Sequence, residues 1–180
     1  MADARTGIGV YAGIAANKAP SALEREVVEQ FDLMRERLLR YLLGFGLTAQ
    51  DSEEIVQETF LALFQHLQRG RSRRNLRGWL FRVAHNLGLR KRQRMRATEE
   101  VGDSVIDPAP NPEDQCAISQ TERRLLAVLR ALPEQDRRCL SLRAEGLRYR
   151  EIAEVLDMSL GAVSIALTRS LARIARSAER

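Results

Sequence analysis

The chain has 180 residues, 44% of them hydrophobic, with 29 basic against 24 acidic side chains and a net charge of +5. That length admits one ordinary domain or two small ones and excludes a large multidomain enzyme, while the apolar content suffices for a packed core. No apolar run approaches the ~18 residues of a membrane-spanning helix, so no membrane insertion is expected, and two cysteines are too few for a disulfide framework, which favours a reducing compartment.

Resolved along the chain, the charge is strongly segregated. Residues 1–65 carry 6 basic and 10 acidic side chains, residues 66–96 carry 11 basic and none acidic, residues 97–120 carry 6 acidic and none basic, and residues 121–180 carry 12 basic and 8 acidic. Of the 29 basic residues 27 are Arg, which codon bias can explain, but bias does not explain eleven cations gathered without one acid. A block of that kind points to a polyanion partner, and the acidic block before it to a different one.

Residues 1–21 read as a flexible tail: the mild stretch 8–16 is interrupted by glycine and preceded by Asp3 beside Arg5, unlike a signal peptide. Leu23, Val27, Phe31, Met34, Leu38 and Leu42 then recur at the spacing of one helix face, and Gly44 and Gly46 end that helix. The next helix starts near residues 49–52, with Asp51, Glu53 and Glu54 expected in its first turn, and carries Ile55, Val56, Phe60, Leu63, Phe64 and Leu67. A polar loop, RGRSRRN at 69–75, precedes a third amphipathic helix marked by Trp79, Leu80, Val83, Ala84 and Leu87. Residues 97–120 hold three prolines within five residues and no period, as an extended acidic linker does. Beyond it, Leu125, Leu126, Val128, Leu129 and Leu132 stripe a helix stopped by Pro133. A second is expected over 134–145 with Gly146 as its C′ residue, then one over 149–156 and a last from 160 to about 175. Nothing alternates apolar and polar over a strand length. The expected fold is all-α: a first domain at 22–96 and a second at 121–180, joined by the linker.

The stretch YREIAEVLDMSLGAVSIALT fits a helix-turn-helix. Ala153 is small where the helices cross, Ile152, Leu156, Met158 and Val163 point inward, Asp157 takes the left-handed position of the turn, and Ser159 caps the following helix. In that reading Gly161, Ala162, Ser164, Ile165, Thr168 and Arg169 face the major groove, and Arg148 and Arg150 suit phosphates. The groove face is poor in long polar side chains: Ser164 and Thr168 can hydrogen-bond, while Ala162 and Ile165 can touch thymine methyls. Such a module needs a second attachment. The competing reading is a plain helical pair.

Three stretches in order carry a family resemblance. DSEEIVQETFLALFQHL, LRGWLFRVAHNLGLRKRQR and ALPEQDRRCLSLRAEGLRYREIAEVLDMSLGAVSIALTRSLARI resemble the core-binding, −10-reading and −35-reading segments of bacterial RNA polymerase sigma factors of the extracytoplasmic-function (ECF, sigma-70 group 4) type. The resemblance implies that Asp51, Glu54, Gln57 and Glu58 bind the clamp coiled coil of the polymerase β′ subunit, and that the second domain meets the β flap. It implies that Arg73, Arg74, Asn75, Arg77, Trp79, Arg82, Asn86 and Arg90 act at the −10 element, Asn86 at the pocket for a flipped base. Arg92 and Arg94 extend that cationic cluster. Trp79 has two readings, a core plug within the apolar stripe or an aromatic face for unpaired bases. Asn86 lies two helical turns on, on the same side, and an amide can both donate to and accept from a base edge. The resemblance further implies promoter DNA and an anti-sigma protein as partners, a cytoplasmic location, and no cofactor. The sequence departs from the family pattern at Ser164 and Ala166, where Lys or Arg is frequent, and at Gly88-Leu89, which lacks the usual Asp.

Cys116, Cys139, His66 and His85 have no metal-ligand spacing, and no nucleophile, phosphate loop or carboxylate pair with a scaffold is present, so neither a metal site nor catalysis is expected. Two other functions fit the same residues: a stand-alone helix-turn-helix regulator that binds operators as a dimer, and a protein-interaction adaptor that has lost DNA binding.

Overall fold

The computed structural model describes residues 20–99 and 120–178 and contains only helices among them. Cys116 and most of the acidic stretch lie outside the described residues. The first domain is built from α1 (Ala22–Leu43), α2 (Ala49–Gln68) and α3 (Leu76–Glu99). Ser21 starts α1 through a reciprocal cap: its hydroxyl accepts the Glu24 amide at 3.2 Å while the Glu24 carboxylate accepts the Ser21 amide at 2.5 Å. Gly44 ends the helix and Gly46, at φ 81°, turns the chain towards α2 as expected of these glycines. Thr48 caps α2 by accepting the Asp51 amide at 3.1 Å. Only Asp51 of the three expected acids lies in the first turn; the helix begins at Ala49, which places Glu53 and Glu54 one turn further on. The stripes converge as their periodicity requires, with Leu38, Leu42, Val56, Leu63, Leu80 and Phe81 essentially inaccessible. Each such side chain contributes about 1.5–3 kcal/mol on burial. α3 continues to Glu99, three residues past the boundary at 96 that composition suggests, because no proline or glycine interrupts it there.

The second domain comprises α4 (Gln120–Arg130), α5 (Glu134–Ala144), α6 (Tyr149–Leu156) and α7 (Leu160–Ala178). Pro133 opens α5, and Gly146 follows the Glu145 cap at φ 82°. Asp157 takes φ 52° and ψ 50°, and the Met158 amide bonds back to the Ala153 carbonyl at 3.0 Å, so the chain reverses in one residue. The axes of α6 and α7 are bent by 106°, within the range of a helix-turn-helix. Ile152 and Val163 are fully buried and Leu156 and Met158 half-buried, as that motif demands. Cys139 is buried, and its thiol is pushed up to about 11, by burial first and then by the nearby Asp136 carboxylate, so it is a core residue rather than a nucleophile. Among the described residues no single helix is long and apolar enough to cross a membrane.

The two domains also touch. α3 packs along α6, and the buried apolar side chains of both domains form one continuous cluster. Nothing in the sequence pattern signals this contact.

Candidate nucleic-acid interface

The acidic face of α2 holds the four residues expected there. Glu54, Gln57 and Glu58 are exposed and Asp51 is half-buried at the N-terminal end. The face is not a bare acidic patch, because Lys91 reaches across from α3 to Asp51 at 2.8 Å and Glu54 at 3.1 Å. The hydrogen bonds from Lys91 and then Thr48 hold the Asp51 carboxyl below the usual carboxylate range, and the same bonds to Asp51 and Glu54 raise the Lys91 ammonium. Glu54, Glu58, Leu87, Arg90, Lys91 and Arg94 line one groove, so the acidic face and the basic helix share an edge. Sequence reasoning passed over Lys91, which there was one cation among eleven.

The residues expected at the −10 element divide into those free to meet a ligand and those already engaged. Arg82, Asn86 and Arg90 stand exposed on α3, Arg90 donating to the Asn86 carbonyl at 3.3 Å. Arg73 is paired with Glu26 of α1 at 2.9 Å, and Arg77 reaches Glu151 of α6 at 3.5 Å. Arg74 is exposed, its backbone amide bonded to the Ser72 hydroxyl at 3.2 Å. Asn75 serves the fold: at φ 54° its side-chain oxygen accepts the Gly78 amide at 3.2 Å and so caps α3. Gly78 is required by that cap, since a Cβ there would sit 2.5 Å from the Asn75 amide nitrogen. Trp79 falls between its two readings. It is half-buried against the core, and its ring lies 4.6 Å from the ring of His66. His66 in turn donates from Nε2 to the Ser72 carbonyl at 3.0 Å, tethering the 69–75 loop beside Trp79. His66 carried no sequence signal, because its two partners come from a loop without period and a helix thirteen residues on.

In the second domain Gly161, Ile165, Thr168 and Arg169 are exposed on α7, with Ala162 and Ser164 half-buried beside them. Ser159 accepts the Ala162 amide at 3.1 Å, the expected cap. Arg148 and Arg150 are exposed at the start of α6, where Glu151 accepts the Arg148 amide at 2.6 Å. Ala166 is 3% exposed and faces the core, so the absence of Lys or Arg there takes nothing from the groove face; the departure that counts is Ser164. Arg169 is doubly bonded to Asp136 of α5, at 2.8 and 2.7 Å, and Asp136 is 2% exposed. It therefore ties α7 to α5 as well as facing outward.

An acidic helix edge, an arginine-rich helix presenting an amide, and a helix-turn-helix thus lie on one chain in that order. The Sigma-70 region 2 family pattern matches residues 31–98, and the Sigma-70, region 4 pattern matches residues 122–174. The chain is 36% identical over 141 residues to the ECF RNA polymerase sigma factor SigE of Mycolicibacterium smegmatis, covering 73% of this chain and 54% of that protein. It is 31% identical over 143 residues to the RNA polymerase sigma factor CnrH of Cupriavidus metallidurans, covering 73% of this chain and 75% of that protein. The chain thus spans about half the length of SigE but three quarters of CnrH. Among solved structures, the sigma factor RpoE in complex with the anti-sigma factor NepR from Bartonella quintana is similar in fold, with a TM-score of 0.66 at 18% identity over 86% of this chain and 98% of that one. CnrH in complex with the cytosolic domain of CnrY has a TM-score of 0.58 at 25% identity over 84% of this chain and 86% of that one. The chain belongs to the sigma-70 family, as an extracytoplasmic-function (group 4) sigma factor.

Proposed function

We propose that this chain programs core RNA polymerase for a restricted set of promoters. The observation that carries the reading is the shared edge of α2 and α3: carboxylates that suit a basic protein surface adjoin a helix whose arginines and Asn86 suit an opened strand. Asp51, Glu54, Gln57 and Glu58 dock on the β′ clamp coiled coil. α7 reads the −35 element through Gly161, Ala162, Ser164, Ile165, Thr168 and Arg169, with Arg148, Arg150 and Ser159 placing the helix against phosphates. Asn86 receives a base flipped from the −10 strand, Trp79 and the 69–75 loop wall the pocket, and Arg82 and Arg90 hold the flanking phosphates. The polymerase does the chemistry and this chain none, so it acts where the polymerase is, in the cytoplasm. The relatives RpoE and CnrH are seen with NepR and CnrY, and an anti-sigma protein that engages both domains is the corresponding partner here.

Run-off transcription on genomic templates tests this directly. Core polymerase with this chain initiates at start sites absent without it, and no chain-dependent start would refute the reading. Asn86→Ala then weakens open-complex formation far more than core binding; equal loss of both would remove Asn86 from the flipped-base role. Tight binding of a promoter duplex by a dimer without polymerase would favour the stand-alone regulator.

A further inference from the structure

We propose that His66 is a positioning residue for the −10 strand: it presets the 69–75 loop and the Trp79 ring that together wall the strand's pocket. The step rests on the promoter reading above. His66 stands in the last turn of α2 and holds two consecutive loop residues. Its backbone carbonyl accepts the Arg71 amide at 3.2 Å, and its Nε2 donates to the Ser72 carbonyl at 3.0 Å. The Gly70 amide bonds to the Leu67 carbonyl at 2.9 Å with Gly70 at φ 67°, so a left-handed turn folds the loop back over the helix end. The His66 ring meanwhile packs on Trp79, with centroids 4.6 Å apart and planes at 42°.

The loop is set rather than slack. The Ser72 hydroxyl accepts the Arg74 amide at 3.2 Å, and the Asn75 side chain closes the far end by capping α3. Among the described residues, two side-chain attachments tie the loop to the helices before it: His66 with Ser72, and Arg73 with Glu26 of α1 at 2.9 Å. The Arg73 side chain is 56% exposed, and an open ion pair of that kind contributes little. Arg73 is also a cation that a phosphate draws away from Glu26. The bond from His66 ends on uncharged main chain, so it is the tie that persists when Arg73 turns to DNA.

The gain comes from ordering. A slack loop gives up backbone entropy at each residue it fixes on a strand, and a loop already fixed does not. Exposed Arg71 and Arg74 then meet phosphates from a steady frame, beside a Trp79 ring whose orientation is set by the same histidine. His66 itself touches no strand; it acts through Ser72 and Trp79. Losing its tether therefore lowers strand affinity about five- to tenfold, the fold-change that corresponds to one hydrogen bond, and leaves the number of phosphate contacts unchanged.

The test uses the full chain in two single variants, each studied free and as holoenzyme with core polymerase. His66→Phe keeps a ring beside Trp79 and removes the donor, whereas His66→Gln keeps an N–H donor on a side chain that suits a helix. Amide hydrogen exchange of residues 69–75 in the free chain reads the loop. Titration of the holoenzyme with a labelled single strand, carrying the −10 sequence of a promoter found by run-off, reads the pocket. His66→Phe speeds exchange in the loop several-fold and weakens strand binding about five- to tenfold, with core affinity, helical circular dichroism and the salt slope of strand binding unchanged. His66→Gln exchanges like wild type and binds the strand within about twofold of it. His66→Leu replaces the Phe variant should that one lose helicity. Loop exchange and strand affinity of His66→Phe equal to wild type would overturn the proposal, as would His66→Gln binding as weakly as His66→Phe. A salt slope smaller by about 0.7 would also overturn it, because His66 would then meet a phosphate directly. No chain-dependent start in the run-off assay overturns the promoter reading and this proposal with it, whereas wild-type starts with an unaffected His66→Phe overturn this proposal alone.

Discussion

His85 gives the first domain a measurable weakness towards acid. Its ring is 4% exposed and lies among Tyr41, whose hydroxyl is 2.7 Å from Nδ1, the ring of Phe45 at 5.2 Å, and the charge of Arg138 from the second domain. Burial, and then Arg138, lower its pKa from 6.5 to about 4, so the folded chain holds the neutral ring where the unfolded chain takes up a proton. The unfolded state binds more protons between those two values, and stability therefore falls as pH falls through the window from 6.5 to 4. With these pKa values the penalty is roughly 0.2 kcal/mol at pH 7 and roughly 2 kcal/mol at pH 5. For packed domains of this combined size that lowers the melting temperature by about 4–7 °C. Asp51 and Glu134 are held below their ordinary range, so their contribution to the slope falls mostly below pH 5 and is common to both proteins. Thermal denaturation of wild type and His85→Gln from pH 7 to 5 isolates the ring: the wild-type midpoint drops and that of the variant stays nearly flat, whatever its starting stability. Parallel slopes in the two proteins would refute the account.

Other predictions concern the turn and the acidic face. Asp157→Val places a β-branched residue at φ 52° and costs about 1–2 kcal/mol in urea unfolding, whereas Asp157→Gly is neutral or slightly stabilising. Lys91→Met removes the cation shared by Asp51 and Glu54, so core polymerase binds the variant several-fold more tightly in an equilibrium titration. Unchanged core affinity would show that Lys91 does not compete with the polymerase for those carboxylates.

The helices and their ends were legible because they are written locally. Gly44, Gly46, Pro133, Gly146 and Asp157 each act within one turn of where they stand, and the apolar stripes repeat within one helix. The helix-turn-helix was legible for the same reason. Illegible were the pairings that join distant positions of like composition. Arg37 and Glu145 are 108 residues apart, and no spacing rule selects that arginine among its neighbours. Lys91 and His66 take their meaning from helices that must first pack. Asn75 shows a second role that composition hides: a polar residue in a basic loop suggests DNA, and its side-chain oxygen also caps α3 at Gly78.

The doubly bonded Arg169 bears on how the second domain meets DNA. Its Nε and Nη2 are committed to Asp136, while Nη1 makes no hydrogen bond among the described residues and half of the side chain faces solvent. A flexible arginine loses its rotamer freedom only when it meets a phosphate or base. Here that loss has already occurred on folding, so the free edge of the guanidinium is aimed in advance and binding orders little more. Of the residues proposed to face the groove, Gly161, Ala162, Ser164, Ile165, Thr168 and Arg169, only the last has a long polar side chain, and in that proposal it gives the groove face its fixed bearing.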